Sequence, residues 1–230
     1  MRIGLISDTH QPNEQKTLWP EVYEAFRGVD LILHGGDVVH SVVLDWCEEI
    51  APTLACRGNN DNWMNDSRLE EMVIIEVEGF KIGMVHAFWE PEDRPVAYFV
   101  KQFFDGQDVD VIISGDTHME GIDYRDGVLQ VNSGSPTEPH LWSPRLGTVG
   151  ILDVTPGRVE ARIVRLGETP GRKNPGVEYT YTPETGVIRH ETKRDQGSAR
   201  SSRASARCSP AMRSAPARSA TVRATRRTRW

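Results

Sequence analysis

Seven oxygen- or nitrogen-bearing side chains recur at one kind of place in this sequence: just past the end of a short apolar run. Ile3-Gly4-Leu5-Ile6 runs into Ser7-Asp8-Thr9-His10, and Leu31-Ile32-Leu33-His34 into Gly35-Gly36-Asp37. Thr53–Cys56 leads to Arg57-Gly58-Asn59, Phe80–Val85 to His86, and Val111–Ser114 to Gly115-Asp116-Thr117-His118. Runs of β-formers bounded by polar residues read as buried strands. Open α/β folds keep their ligands at the carboxyl edges of such strands. A single Asp-x-His at a strand end is as readily a turn cap as a ligand pair. Five strand ends of the same kind are a constellation, because carboxylates and imidazoles gathered there without a cation would repel or stay unsatisfied. None of the seven donors is sulfur, which suits Mn²⁺ first, with Fe, Mg²⁺, Zn²⁺ and Ni²⁺ as alternatives. Seven ligands exceed what one ion needs; two ions sharing a bridging carboxylate use them all.

The elements that must position these residues follow from periodicity. Gln15–Phe26 places Leu18, Val22, Ala25 and Phe26 at helical spacing, Ser41–Ile50 reads as a second helix, and Pro95–Phe104 as a third. Strands alternating with helices in the first sixty residues argue for βαβ units and a mainly parallel sheet. Glu78-Gly79, Asp126-Gly127 and Pro156-Gly157 then mark hairpins. That strand-rich second half predicts a second sheet packed on the first, with helices outside both. Residues 167–196 are rich in Gly, Pro, Thr and charge, with Val177–Tyr181 and Thr185–His190 able to pair as a peripheral hairpin.

The net charge of −6 conceals two unlike segments. Residues 197–230 hold nine arginines and no Lys, Asp or Glu, which leaves 18 basic against 33 acidic residues in 1–196. The tail is nearly all Ser, Ala, Arg, Thr and Pro, too poor in apolar surface to offset its ordering entropy, and is expected to be disordered. Its arginines could meet nucleic-acid phosphates, but solvated disorder without a specific function is favoured. No apolar run approaches the ~20 residues that span a bilayer. The absence of a signal-peptide pattern and three unpatterned cysteines, Cys47, Cys56 and Cys208, suggest a reducing, cytoplasmic setting.

In order and spacing, Asp8-x-His10, Gly36-Asp37, Gly58-Asn59, the single His86 and Gly115-x-x-His118 resemble the calcineurin-like metallophosphoesterases, and among them the small YfcE-type phosphodiesterases. The resemblance covers about residues 1–166. It implies a two-sheet β-sandwich flanked by helices in four layers, with 167–196 as an extension and 197–230 as a tail. It further implies that Asp8, His10 and His118 bind a first metal and Asn59, His86 and Asp116 a second. Asp37 bridges them, with Asp37, Asn59 and His118 closest to catalysis. The implied reaction is phosphoester hydrolysis by a metal-bridging hydroxide, with no protein nucleophile.

Three departures from the family pattern stand out. Gly-Asp116-Thr-His118 replaces Gly-His-x-His, and this third carboxylate makes the loaded centre less positive, weakening its attraction for phosphate and favouring harder ions. Asn60 stands where many members carry a histidine able to protonate a leaving group; an amide cannot, and by analogy with the family its absence implies a preference for diesters over monoesters. In Asn132-Ser133-Gly134-Ser135, Ser133 replaces a proline and His140 stands where arginine is usual. Asn60, Arg57 and His140 are the expected substrate-binding residues, with Arg145 another replacement cation. His34 and His40 beside the Asp37 loop are read as structural. Trp63, Trp89 and Trp142 are either stacking groups or rim packing, and Glu90, Glu92 and Asp93 a solvated loop. The predicted partner is a small phosphate ester rather than a membrane, with homo-oligomerisation left open. The rival reading is a non-catalytic scaffold, like the retromer subunit that resembles this family but has a degraded metal site.

Overall fold

Strands β1 (Arg2–Ile6), β2 (Leu31–His34), β3 (Thr53–Cys56) and β4 (Leu69–Glu70) lie side by side and parallel in a computed structural model that describes residues 1–10, 16–90, 94–190 and 223–226. Their carboxyl ends therefore share one edge. The second sheet is built on β5 (Val73–Val77), β6 (Phe80–Met84), β7 (Val111–Ser114), β8 (Gly121–Arg125) and β9 (Val128–Asn132). In it, β6, β7 and β9 run parallel, so the ends of β6 and β7 also share an edge. The turns expected at Glu78-Gly79 and Asp126-Gly127 are present, with positive φ at both residues of each (50° and 86°; 53° and 87°), the backbone that tight hairpins require.

Not all of the strand-rich second half enters the second sheet. After β9 the chain returns as β10 (Thr148–Thr155), antiparallel to β1, and continues through β11 (Arg158–Arg165), β12 (Glu178–Thr182) and β13 (Gly186–His190). The first sheet thus reads β13-β12-β11-β10-β1-β2-β3-β4. Buried Asn174 ties residues 167–176 down by donating to the Gly147 and Gly167 carbonyls. Of the segment 197–230, only β14 (Arg223–Arg226) is among the described residues; it pairs antiparallel with β5 at the edge of the second sheet.

The sheets pack face to face. Ile3, Leu5, Leu31 and Leu33 meet Ile75, Ile82, Met84 and Ile113 in the central core. The alternate residues Ile6 and Ile32 point outward, as a period of two demands, and pack with Val22, Phe26, Leu44 and Trp46 of the helical layer. That layer holds α1 (Pro20–Ala25) and α2 (Val42–Glu48). On the far side, α3 (Val96–Phe103) covers Ile74, Val85 and Ile112. The result is the predicted four-layer α/β sandwich. The first helix is shorter than its apolar spacing suggests because Pro20 occupies its first turn. Proline also pushes the preceding residue out of the helical region, and Trp19 is extended (φ −55°, ψ 137°).

Candidate metal centre

All seven predicted ligands converge where the two sheets' parallel strand ends meet. Asp8, His10, Asp37 and His118 form one group, each offering a donor atom within 4.8 Å of the others. Asp8 is fully buried; its Oδ1 accepts from the Asp116 N–H (3.0 Å) while its Oδ2 has no partner. Burial raises the Asp8 pKa, against the pull of His86 and His118. A buried carboxylate with one oxygen unpartnered, lying in the field of two imidazoles, calls for a cation. The His118 Nδ1–H donates to the Glu138 carbonyl (2.8 Å), leaving Nε2 free to ligate, 3.1 Å from His10 Nε2 and 3.9 Å from Asp8 Oδ1. A backbone acceptor that fixes the ring in this way is the usual support of a ligating histidine.

A second group meets at His86. Its Nδ1 bonds to the Gly35 carbonyl (2.7 Å), and its Nε2 faces three oxygens: Asn59 Oδ1 at 2.9 Å, and Asp37 Oδ1 and Asp116 Oδ1 at 3.5 Å each. Burial lowers the His86 pKa, but the Asp37 carboxylate, the Gly35 carbonyl and the field of Asp8 outweigh it and hold it up at about 9. A ring nitrogen ringed by acceptors needs either its own proton or a metal ion, and this donor set suits a hard or borderline divalent cation.

Asp37 stands between the groups. Its Oδ2 is 3.1 Å from His10 Nε2 and its Oδ1 3.5 Å from His86 Nε2. Burial alone would raise its pKa, yet His10, His86 and Asn60 hold it well below the carboxylate range. Asn60 clamps both oxygens, through its N–H (2.8 Å) and its side-chain amide (2.6 Å). The approach is close enough to need glycine: a Cβ on Gly36 would lie 2.6 Å from His86 Nδ1, and one on Gly115 2.7 Å from Asp8 Oδ2. Asp8, His10, Asp37, Asp116 and His118 all have positive φ, between 36° and 70°, a conformation that costs non-glycine residues energy and collects at functional sites.

The predicted substrate-binding residues are near but engaged elsewhere. Asn60 holds Asp37, and the Arg57 Nη1 donates to the Asp61 and Met64 carbonyls. His140 Nε2 lies 3.1 Å from the buried Glu120 carboxylate, while its N–H donates to the His118 carbonyl. Arg145 bonds to the Ser143 and Lys173 carbonyls. His34 is structural: fully buried, it accepts from the Gly36 N–H, and burial presses its pKa to about 4. His40 packs edge-on against exposed Trp63; Trp89 and Trp142 are also exposed. Glu90 is not solvated: its half-closed site lets it accept from Arg125 (2.6 Å) and Gln130 (2.7 Å). Glu92 and Asp93 lie outside the described residues.

Asp61 escaped the sequence reading. Fully buried, it accepts from the Val38, Val39 and Gly58 N–H groups, tying the Asp37 loop to the Asn59 loop. It also supports Val39 at φ 66°, unusual for a β-branched residue. Its place three residues after Gly58 was the available signal, since a short acidic side chain at a strand end is suited to capping backbone donors.

Residues 1–157 match the family model of the calcineurin-like phosphoesterase superfamily domain. A Methanothermobacter thermautotrophicus protein named "Probable metallophosphoesterase" is 33% identical over 169 residues, covering 73% of this chain and 94% of that protein. A phosphodiesterase of Methanocaldococcus jannaschii is 28% identical over 167 residues, covering 66% of this chain and 93% of that protein. The crystal structure of Vps29 complexed with zinc from Entamoeba histolytica superposes with a TM-score of 0.57 at 20% identity, covering 83% of this chain and 97% of that one. This last likeness concerns the fold.

Proposed function

We propose that this chain, which belongs to the calcineurin-like phosphoesterase superfamily, hydrolyses phosphodiesters at a two-metal centre. The observation that carries the reading is Asp37, whose two carboxylate oxygens face the two donor groups separately. Asp8, His10 and His118 would hold one ion, Asn59, His86 and Asp116 the other, and Asp37 both. A divalent pair, when bound, supplies Lewis acidity toward phosphoryl oxygens and acidifies a water, with Mn²⁺ the first choice.

The chain's own residues contribute position and charge. The Glu138 and Gly35 carbonyls aim the His118 and His86 rings, and Asn60 fixes the Asp37 carboxylate in its plane. Preset donors of this kind need no reorganisation during reaction. Asn60 carries no acidic proton, so the site favours esters whose leaving group departs unprotonated. By analogy with the family, many of whose members carry a histidine at this position, its absence favours diesters over monoesters.

The test is hydrolysis of a generic aryl diester and aryl monoester by the full chain reconstituted with Mn²⁺. Turnover of the diester ahead of the monoester is expected. Turnover of the monoester alone would show that Asn60 does not set the preference. Inactivity toward both with metal bound would leave the non-catalytic scaffold as the better reading.

A further inference from the structure

An open trough of about 1040 Å³ begins at the second donor group and runs away from it along the outer face of the second sheet. Asn59, His86 and Asp116 form its inner end. Beyond them its surface is mixed: Met72, Val85, Ala87 and Phe103 supply an apolar strip, flanked by Asn62, Glu71, Gln102 and Asp105. Phe103 is half-buried and held by Phe88, with ring centroids 5.0 Å apart and planes at 55°, so its ring is braced from one side. The cation on the wall, Arg57, is committed through Nη1 to two carbonyls and lies with Nε 3.6 Å from Glu71. Asp116 adds a carboxylate at the inner end.

We infer that this trough receives the ester substituent of the substrate, and that the substituent is a flat, uncharged aromatic or heteroaromatic ring. The inference rests on the proposed function for the placement of the phosphoryl group at the inner end. From there, a substituent on the phosphorus has one continuous surface to follow. That surface rewards a ring: thioether and phenyl groups contact aromatic faces favourably. The exposed Gln102 amide offers both a donor and an acceptor to the ring edge. A substituent bearing further phosphates is disfavoured, because the wall cation is already paired and the nearest carboxylate would repel it. The volume falls at the upper end of small-molecule sites, ample for a nucleoside-sized group.

Phenylphosphonate and methylphosphonate share a head group, differ in the ring and are not hydrolysed, so their binding to the Mn²⁺-loaded full chain separates recognition from turnover. Calorimetry is expected to show phenylphosphonate binding about tenfold more tightly. Gln102→Trp, which fills the trough from an exposed position, and Phe103→Leu, which keeps the apolar packing and removes the ring, should each reduce that preference severalfold. Equal affinities in the wild type, or a preference that both variants preserve, overturn the inference. A ring preference without turnover of any ester leaves it standing and refutes the proposed function instead. Binding of neither phosphonate removes both.

Discussion

On the Asp8 side of Asp37 the donors are closed over by the loop after β9, whereas on the His86 side they face an open trough. On the first side the Asp8, His118 and His10 side chains are 0%, 5% and 20% exposed; on the second His86 is 6% exposed and Asp116 46%. The closure has identifiable parts. The Ser135 hydroxyl donates to the Asp8 carbonyl (2.7 Å) and accepts from the Thr137 and Glu138 N–H groups. Thr137 donates to the Thr9 carbonyl, and Glu138 orients His118. Beyond its ligands, the second group has the Gly35 carbonyl and the Asp61 clamp. One half of the centre is thus preorganised by burial, and the other keeps the access that a substrate needs. Asp116, one of the three departures from the family pattern, sits in the open half, where an added charge costs least because water still reaches it.

The contrast can be broken most severely at its shared member. Asp37→Asn removes the carboxylate both groups face, and activity should fall by at least the roughly 10²–10³-fold typical of losing one electrostatic group. Metal content should fall with it; two tightly held ions in this variant would show that Asp37 does not join the halves.

Next in size is a selective loss. Asp116→Ala should weaken one of two Mn²⁺-binding events by about 10–100-fold and leave the tighter event in place. Asp116→His, which restores a nitrogen donor and removes a charge, should strengthen phosphate inhibition. Equal stoichiometry, activity and inhibition in wild type and Asp116→His would mean that Asp116 points away from the centre in solution.

The brace between the halves is the third target. Asp61→Asn leaves at least one buried N–H without an acceptor and should cost about 1–3 kcal/mol in urea unfolding. It should also weaken the Asn59 side more than the Asp8 side; an unfolding midpoint equal to wild type would contradict the clamp. Ser135→Ala leaves the Thr137 and Glu138 N–H groups without this acceptor and should cost a comparable amount, about 1–3 kcal/mol, with any change in metal affinity confined to the closed half. A larger effect on the open half would reverse the assignment.

Much of this candidate centre was legible in the sequence because each candidate donor follows an apolar run. Hydrophobic period and strand-end polarity together place Asp8, His10, Asp37, Asn59, His86, Asp116 and His118 at one edge before any coordinates are known. The hairpins at Glu78-Gly79 and Asp126-Gly127 were equally clear, since few residue pairs accept two positive φ angles. What stayed hidden depends on tertiary partners. Asp61 and Ser135 act through backbone groups brought from distant loops, and Glu90 acquires its role only when Arg125 and Gln130 arrive beside it. The return of β10 to pair with β1 was hidden for the same reason, because a hairpin signal does not say which sheet it joins. The positive φ of five candidate donors was also unreadable, although Asp and His tolerate that region better than most residue types.

Electron paramagnetic resonance of the Mn²⁺-reconstituted chain tests the central claim most directly. Two ions sharing Asp37 should give the broadened spectrum of an exchange-coupled pair at two ions per chain, and Asp37→Asn should abolish the coupling. Saturation at one ion per chain, with the resolved hyperfine pattern of isolated Mn²⁺, would contradict a centre that spans both halves.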